Sequence, residues 1–168
     1  MTNIMLDLET MSLASNAAII TIGAVEFDER SIGRTFYERI NPELALADGL
    51  DSDPETLAWW ERQDRKVRAE AFGGTKSLRQ VLLEFTAWMP DDAVVWGNGA
   101  ASDNVWLANA YVAADLPKPW DYRNDRCYRT MLAIFPVKRV KPKKAHHALH
   151  DAKAQAKTLI KLSREYNI

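Results

Sequence analysis

Hydrophobic residues recur at every second position near the start of the chain, as they do in a β-strand with one buried face. Ile4, Leu6 and Leu8 share such a face. The segments predicted as strands are Asn3–Glu9, Ala17–Phe27 and Ile32–Ile40. The polar run Asp28–Arg30 separates the last two and suits a hairpin turn, so we expect three consecutive antiparallel strands.

The pattern then changes to a helical period. Asp53 followed by Pro54 is typical of a helix start, with the aspartate as N-cap. Val94–Trp96 is a short buried-strand candidate that ends at a glycine-rich turn. Further helices are predicted over Leu78, Leu82, Phe85 and Met89, after a Ser102 cap, and over Asp125–Phe135. The last predicted helix has Ala152, Ala156, Leu159 and Ser163 on one side and runs to near the C-terminus. Strands followed by alternating helices and strands predict an α/β fold with a mixed sheet.

The composition is that of an ordinary globular domain, with 168 residues of which 47% are hydrophobic and 27% are charged. It excludes a disordered tail, a coiled coil and a collagen-like chain. No apolar run approaches the roughly 20 residues of a membrane span, and the first residues do not resemble a secretion signal. The one cysteine, Cys127, excludes an internal disulfide and a cysteine-based zinc site, which favours a cytoplasmic location.

Positive charge is concentrated in one segment of a chain whose net charge is only −1. The segment Arg123–Lys144 contains eight basic residues and one acid, so it carries +7 and leaves −8 for the rest. Such a chain repels polyanions over most of its surface and attracts them at one place. A solvated basic loop is the alternative interpretation.

Asp7 and Glu9 lie two residues apart on the first predicted strand, so their side chains point to the same face. Two carboxylates on a buried strand repel each other and are costly to bury unpaired. A divalent cation removes that cost, which predicts a metal site. Asp53 and Glu55 have the same spacing, but the predicted helix start already explains them.

All three histidines of the chain, His146, His147 and His150, lie beside Asp151. The grouping indicates a general base or metal ligands. Zinc is a rival interpretation, although without cysteine such a site would have to recruit carboxylates. Asp103, like Asp151, falls in the first turn of a predicted helix, where the helix dipole favours an acid whatever its function.

As a set, these residues resemble the three exonuclease motifs of the DEDDh 3′–5′ exonucleases. The matching positions are Asp7-Leu8-Glu9-Thr10, Asp103, and His146 with Asp151. Further similarity in Glu55–Trp60 and Arg126–Thr130 resembles the branch that includes ribonuclease AS and the phage exonuclease A type. The second motif departs from the wider family because Ser102, rather than phenylalanine, precedes Asp103, and the doubled histidine is a second departure.

The resemblance covers nearly the whole chain and implies a single 3′–5′ exonuclease domain over residues 1–168. The implied fold is ribonuclease H-like α/β, with a mixed central sheet of three antiparallel strands followed by two parallel ones, and flanking helices. The implied reaction is hydrolysis of phosphodiester bonds from the 3′ end of RNA or DNA, which releases nucleoside 5′-monophosphates.

The resemblance also implies two Mg²⁺ or Mn²⁺ ions, which prefer oxygen ligands. Asp7, Glu9 and Asp151 would hold the first ion, Asp7 would bridge to the second, and Asp103 would assist through water. His146 would take the proton from the attacking water. Family spacing favours His146 over His147, which would pack or bind phosphate.

Substrate contacts are expected from Thr10, Met11, Trp59, Trp60, Arg126, Arg129, Lys144 and His147. The basic residues would neutralise phosphates and the tryptophans would stack on a terminal base, although adjacent tryptophans on a helix usually include a core residue. Met11 and Leu13 could wedge against that base.

Two alternative functions stay open, a catalytically inactive nucleic-acid-binding module of the same fold and a hydrolase of small nucleotides. Relatives in this branch lead us to expect a homodimer, and we expect no membrane association.

Overall fold

A computed structural model of the protein describes residues 1–167 and contains a five-stranded sheet in the order β3-β2-β1-β4-β5. The strands are β1 (Thr2–Thr10), β2 (Ile19–Phe27), β3 (Ile32–Arg39), β4 (Ala93–Gly97) and β5 (Asp125–Cys127). β1, β2 and β3 are antiparallel, whereas β4 runs parallel to β1 and β5 parallel to β4. The predicted mixed sheet of three antiparallel and two parallel strands is confirmed. The C-terminal Ile168 of the predicted single domain lies outside the described residues.

The α-helices are α1 (Pro42–Ala47), α2 (Pro54–Glu61), α3 (Arg65–Ala71), α4 (Leu78–Trp88), α5 (Val105–Ala113), α6 (Tyr128–Ile134) and α7 (Ala148–Tyr166). The Asp53 carboxylate accepts hydrogen bonds from the first backbone N–H groups of α2, so the predicted N-cap is confirmed. Asp64 caps α3 in the same way. Within residues 1–167, no helix is long and apolar enough to cross a bilayer.

Two predicted segments differ from the structure. Ser102 does not cap α5, because a π-helical turn over Ala100–Asn104 precedes that helix and the Ser102 hydroxyl donates instead to the Gly99 carbonyl. The helix predicted over Asp125–Phe135 begins only at Tyr128. Its first three residues form β5, since Asp125 is held against β4 by strand pairing and by hydrogen bonds from Asn104 and Trp120 to its carboxylate.

The sheet separates two apolar layers, and β1 contributes to both. Ile4, Leu6 and Leu8 pack in the larger layer with α4 and α5, while Met5 packs in the smaller layer against α7. Asp7 and Glu9 follow Met5 on the same face of β1, because side chains alternate along a strand. The face that is apolar at Met5 therefore becomes acidic where α7 begins.

Candidate active site

The contact between β2 and the start of α7 brings three acids together. Gly23 pairs with Asp7 in the sheet, and a side-chain carbon at Gly23 would lie 2.3 Å from the backbone of Ala148. Only glycine permits so close an approach of the helix to the sheet. As a result, carboxylate oxygens of Asp7 and Glu9 on β1 and of Asp151 on α7 lie within 4.8 Å of one another.

The three carboxylates are held where their charged forms are disfavoured. Burial, followed by the charges of Asp103, Glu9 and Asp151, raises the pKa of Asp7 well above its ordinary value. Burial and the neighbouring Asp151 and Asp103 raise the pKa of Glu9 to about 8. Burial also raises the pKa of Asp151. An oxygen-lined, negatively charged cluster of this kind suits a hard divalent cation such as Mg²⁺ or Mn²⁺, which would offset the repulsion.

Asp103 approaches the same acids from the end of β4. Only 4% of its surface is exposed, its carboxylate accepts a hydrogen bond from the Gly99 backbone N–H at 3.1 Å, and the Ser102 hydroxyl oxygen lies 3.3 Å from the same carboxylate oxygen. Burial raises its pKa, and its charge is the largest electrostatic contribution to the raised pKa of Asp7. The π-helical turn thus places a fourth acid at the site.

The two adjacent histidines point in different directions. His146 is exposed beside the acids, and its ring meets the edge of Trp59 with centroids 4.9 Å apart. The backbone at His146 has φ 57°, a left-handed conformation that costs a non-glycine residue about 1–2 kcal/mol. His147 turns away and stacks between Tyr37 and His150, at centroid distances of 4.5 and 4.1 Å.

A cleft of about 690 Å³ opens above the acids. Its lining includes Asp7, Glu9, Thr10, Leu13, Asp53, Thr56, Trp59, Trp60, Arg62, Asn98, Ser102, Asp103, Trp106, Arg129, His146, Asp151 and Gln155. Four of the predicted substrate-binding residues are among them, namely Thr10, Trp59, Trp60 and Arg129. Trp60 is almost fully buried and donates from its indole N–H to the Thr10 carbonyl at 2.9 Å, so it forms part of the wall.

The other four predicted substrate-binding residues lie outside this lining. Met11 is buried in the larger apolar layer. The Arg126 guanidinium donates to the Arg123 carbonyl at 2.8 Å. Lys144 and His147 both contact Glu70 on α3. Substrate binding by these four residues stays a prediction.

Gln155 is a site residue that the sequence interpretation missed. Its side-chain amide donates to the Asp7 carboxylate at 2.7 Å. It lies one helical turn after Asp151, and residues four apart share a helix face, so this spacing could have identified it. Asn98 and Trp106 also line the cleft, but residue type and spacing gave no comparable signal for them.

A comparison of the sequence with models of known protein families shows the family to which the chain belongs. The profile of the 3′-5′ exoribonuclease Rv2179c-like domain matches residues 2–162. The chain belongs to the Rv2179c-like 3′–5′ exoribonuclease family. Membership in this exonuclease family confirms the resemblance on which the sequence-based prediction of a nuclease rested. No curated protein sequence matches the chain.

Solved structures with the same fold are nucleases of low sequence identity. E. coli exonuclease I in complex with a dT13 oligonucleotide superposes with a TM-score of 0.73 at 14% identity over 99% of this chain. The zinc-bound ssDNA complex of the same protein superposes with a TM-score of 0.71 at 15% identity over 98% of this chain. The nuclease domain of 3′hExo, a DEDDh family member bound to rAMP, gives 0.65 at 14% identity over 98% of this chain and 92% of that domain.

These likenesses confirm the ribonuclease H-like fold that the motifs implied. The chain spans only 42% of the exonuclease I chain in the dT13 complex and 40% in the zinc-bound complex. The likeness therefore extends to the fold of the matched part and not to the rest of that protein.

Proposed function

We propose that the protein is a metal-dependent 3′–5′ exonuclease that hydrolyses the terminal phosphodiester bond of a nucleic acid and releases a nucleoside 5′-monophosphate. The observation that carries the proposal is the convergence of Asp7, Glu9 and Asp151 within 4.8 Å on the floor of a cleft whose wall includes His146. A pure nucleic-acid-binding module has no use for clustered acids that repel phosphate, which argues against the inactive alternative.

The acids would hold the metal ions. Asp7, Glu9 and Asp151 would bind the first ion, Asp7 would extend to a second, and Asp103 would act through water. When bound, two divalent ions supply polarisation of the attacking water and stabilisation of the leaving oxygen. Gln155 donates to one carboxylate oxygen of Asp7, so the other carboxylate oxygen of Asp7 would face an ion.

His146 would remove the proton from the attacking water. Its ring lies on the cleft wall beside the acids, and its edge contact with Trp59 restrains the ring. Arg129 would neutralise a substrate phosphate, while Trp59 and Leu13 would contact the terminal base. A general base in this position contributes about 10²–10⁴ to the rate of such reactions.

RNA is the polymer that the family description favours, since it names an exoribonuclease domain. The E. coli exonuclease I structures contain DNA, so DNA has to be tested as a substrate as well. Discrimination would depend on contacts to a single 2′-hydroxyl at the 3′ end.

The proposal is tested by a cleavage assay on RNA and DNA strands labelled at either end, in the presence of Mg²⁺, Mn²⁺ or EDTA. We expect stepwise shortening from the 3′ end that EDTA abolishes. Asp7→Asn preserves the volume of the side chain and should remove activity. Binding of either polymer without cleavage would support the inactive module, and cleavage of dinucleotides alone would support a small-nucleotide hydrolase.

We also propose that one exonuclease domain spans residues 1–168 and that it functions as a homodimer in the cytoplasm. Light scattering would test the dimer at the concentrations used for cleavage. A monomer that is fully active would contradict it.

A further inference from the structure

Glu70 on α3 lies outside the cleft and contacts two residues of the loop that carries His146. One carboxylate oxygen, Oε2, accepts from the Lys144 Nζ at 2.7 Å. The other, Oε1, lies 3.0 Å from the His147 Nε2. A single side chain therefore contacts the residue two positions before His146 and the residue immediately after it.

The contact with His147 extends to the metal-binding acids. The His147 side chain is only 11% exposed, and its ring is sandwiched between Tyr37 on β3 and His150 on α7. Its backbone N–H donates to the Asp151 carboxylate at 3.0 Å. The His147 ring is thus packed on both sides, and the peptide that joins it to His146 donates to one oxygen of Asp151.

His146 itself needs such support. Its backbone is left-handed, a conformation that persists in a non-glycine residue only where the surroundings enforce it. Its side chain is exposed, and its ring contact is with Trp59. The hydrogen bond from Lys144 lowers the pKa of Glu70, which favours the charged carboxylate that faces the loop.

We propose that Glu70 is a positioning residue for the reaction, because it holds Lys144 and His147 so that His146 faces the cleft. The inference rests on the proposed exonuclease function and deepens it. It also assigns Lys144 and His147 to the support of the loop rather than to contact with substrate.

The first test compares kcat and KM of Glu70→Ala with those of Glu84→Ala at saturating metal, over a range of substrate concentrations. Glu84 on α4 is a matched control, since it pairs with Lys76 at the same 2.7 Å and similar exposure, but its partners Lys76 and Gln80 lie outside the loop that carries His146. We expect Glu70→Ala to lower kcat by about 10–100-fold, the usual effect of losing an outer-shell partner, with little change in KM. Glu84→Ala should leave kcat unchanged, and Glu70→Gln, which retains one acceptor, should fall between wild type and Glu70→Ala.

The second test asks whether Glu70 acts through His146. In a His146→Ala background, Glu70→Ala should lower the single-turnover rate by less than about twofold, because coupled residues are not additive. An equal loss in both backgrounds would overturn the proposal. If Glu70→Ala does not fold, Lys144→Met replaces it in the same double-mutant cycle with His146→Ala, because it removes the Lys144–Glu70 hydrogen bond.

Two outcomes distinguish the exonuclease function from the positioning role of Glu70. Absence of cleavage by wild type with either metal would contradict the exonuclease function itself. Active wild type with equal kcat values for Glu70→Ala and Glu84→Ala would contradict only the positioning role.

Discussion

The buried carboxyl group of Glu9 makes the stability of the folded protein depend on pH. Burial and two neighbouring acids raise its pKa from 4.5 to about 8 in the folded protein. Between these values the folded protein retains a proton that the unfolded chain releases, so the free energy of unfolding decreases as pH rises. Asp7 acts in the same direction, since its pKa is also raised.

We therefore expect metal-free protein to lose stability as pH rises from 4.5 to about 8. Thermal melting in EDTA measures this slope, and Glu9→Gln should flatten it. Mg²⁺ or Mn²⁺ should raise the melting temperature most at the alkaline end, where the carboxylates are available as ligands. Glu29→Gln, in the exposed hairpin turn, serves as the control and should leave the slope unchanged. A slope of opposite sign in EDTA would contradict the expectation.

His146 carries the residue-scale prediction about rate. His146→Ala should lower the turnover number by at least about 10²-fold, because the attacking water loses its general base. Substrate should still bind with metal present, which filter binding would measure. His150→Ala is a comparison within the same histidine group, and its effect should be smaller, because His150 lies outside the cleft and contacts the His147 ring. Near-normal turnover of His146→Ala would exclude it as the base.

At the scale of elements, the site depends on how closely α7 approaches β2. Gly23→Ala would place a methyl group 2.3 Å from the Ala148 backbone, so the helix start must move away from the sheet. Such overpacking costs about 1–3 kcal/mol, and here it also separates Asp151 from Asp7. We expect a lower melting temperature and a weaker metal affinity, measured by calorimetry.

Gly33→Ala is the matched control for this change. A side-chain carbon at Gly33 on β3 would meet the Glu26 side chain at 3.3 Å, and no backbone atom closer than 3.8 Å. Metal affinity should stay at the wild-type value. Unchanged metal affinity in Gly23→Ala would show that the close approach does not set the spacing of the acids.

The helix α2 offers a second element-scale test because it carries Trp59 and Trp60. The Asp53 carboxylate accepts from the Thr56 backbone N–H at 3.0 Å and lines the cleft. Asp53→Ala and Asp64→Ala each remove a helix N-cap and should each cost about 1 kcal/mol in the free energy of unfolding. Only Asp53→Ala should also raise KM for a short strand, since α3 does not line the cleft. Equal KM values in the two variants would contradict a role of α2 in the substrate wall.

Charge is segregated at the scale of the whole molecule. The segment Arg123–Lys144 carries +7 in a chain of net charge −1, but Arg129 is the basic residue of this segment that lines the cleft. We expect Arg129→Ala to weaken binding of a single strand and to lower the slope of log affinity against log salt by about 0.7. Fluorescence anisotropy at several salt concentrations measures both quantities.

Arg126→Ala is the comparison for Arg129→Ala, because its guanidinium donates to a backbone carbonyl outside the cleft. A smaller loss of slope in Arg126→Ala would restrict the substrate path to the cleft. An equal loss would extend the path along the basic segment. No change with Arg129→Ala would separate the segment from substrate binding altogether.

Local sequence patterns were enough to predict the three antiparallel strands and the α2 cap at Asp53, and the motifs were enough to predict the exonuclease family. Periodicity and capping are local properties, so they can be recognised without tertiary contacts. The short β5 was missed for the opposite reason, since Asp125 is held there by Trp120, Asn104 and pairing with β4 rather than by its own neighbours.

Which side chains face the cleft depends on contacts between residues that are distant in sequence. His146 and His147 are adjacent in sequence, yet they diverge because Glu70, from a distant helix, holds the second ring. Asp7 meets Gln155 from the opposite end of the chain. Side-chain direction in a loop depends on such long-range packing, which residue type and spacing do not encode. The sequence therefore predicted that Asp7, Glu9 and Asp151 meet at one site, whereas the directions of the surrounding side chains required the structure.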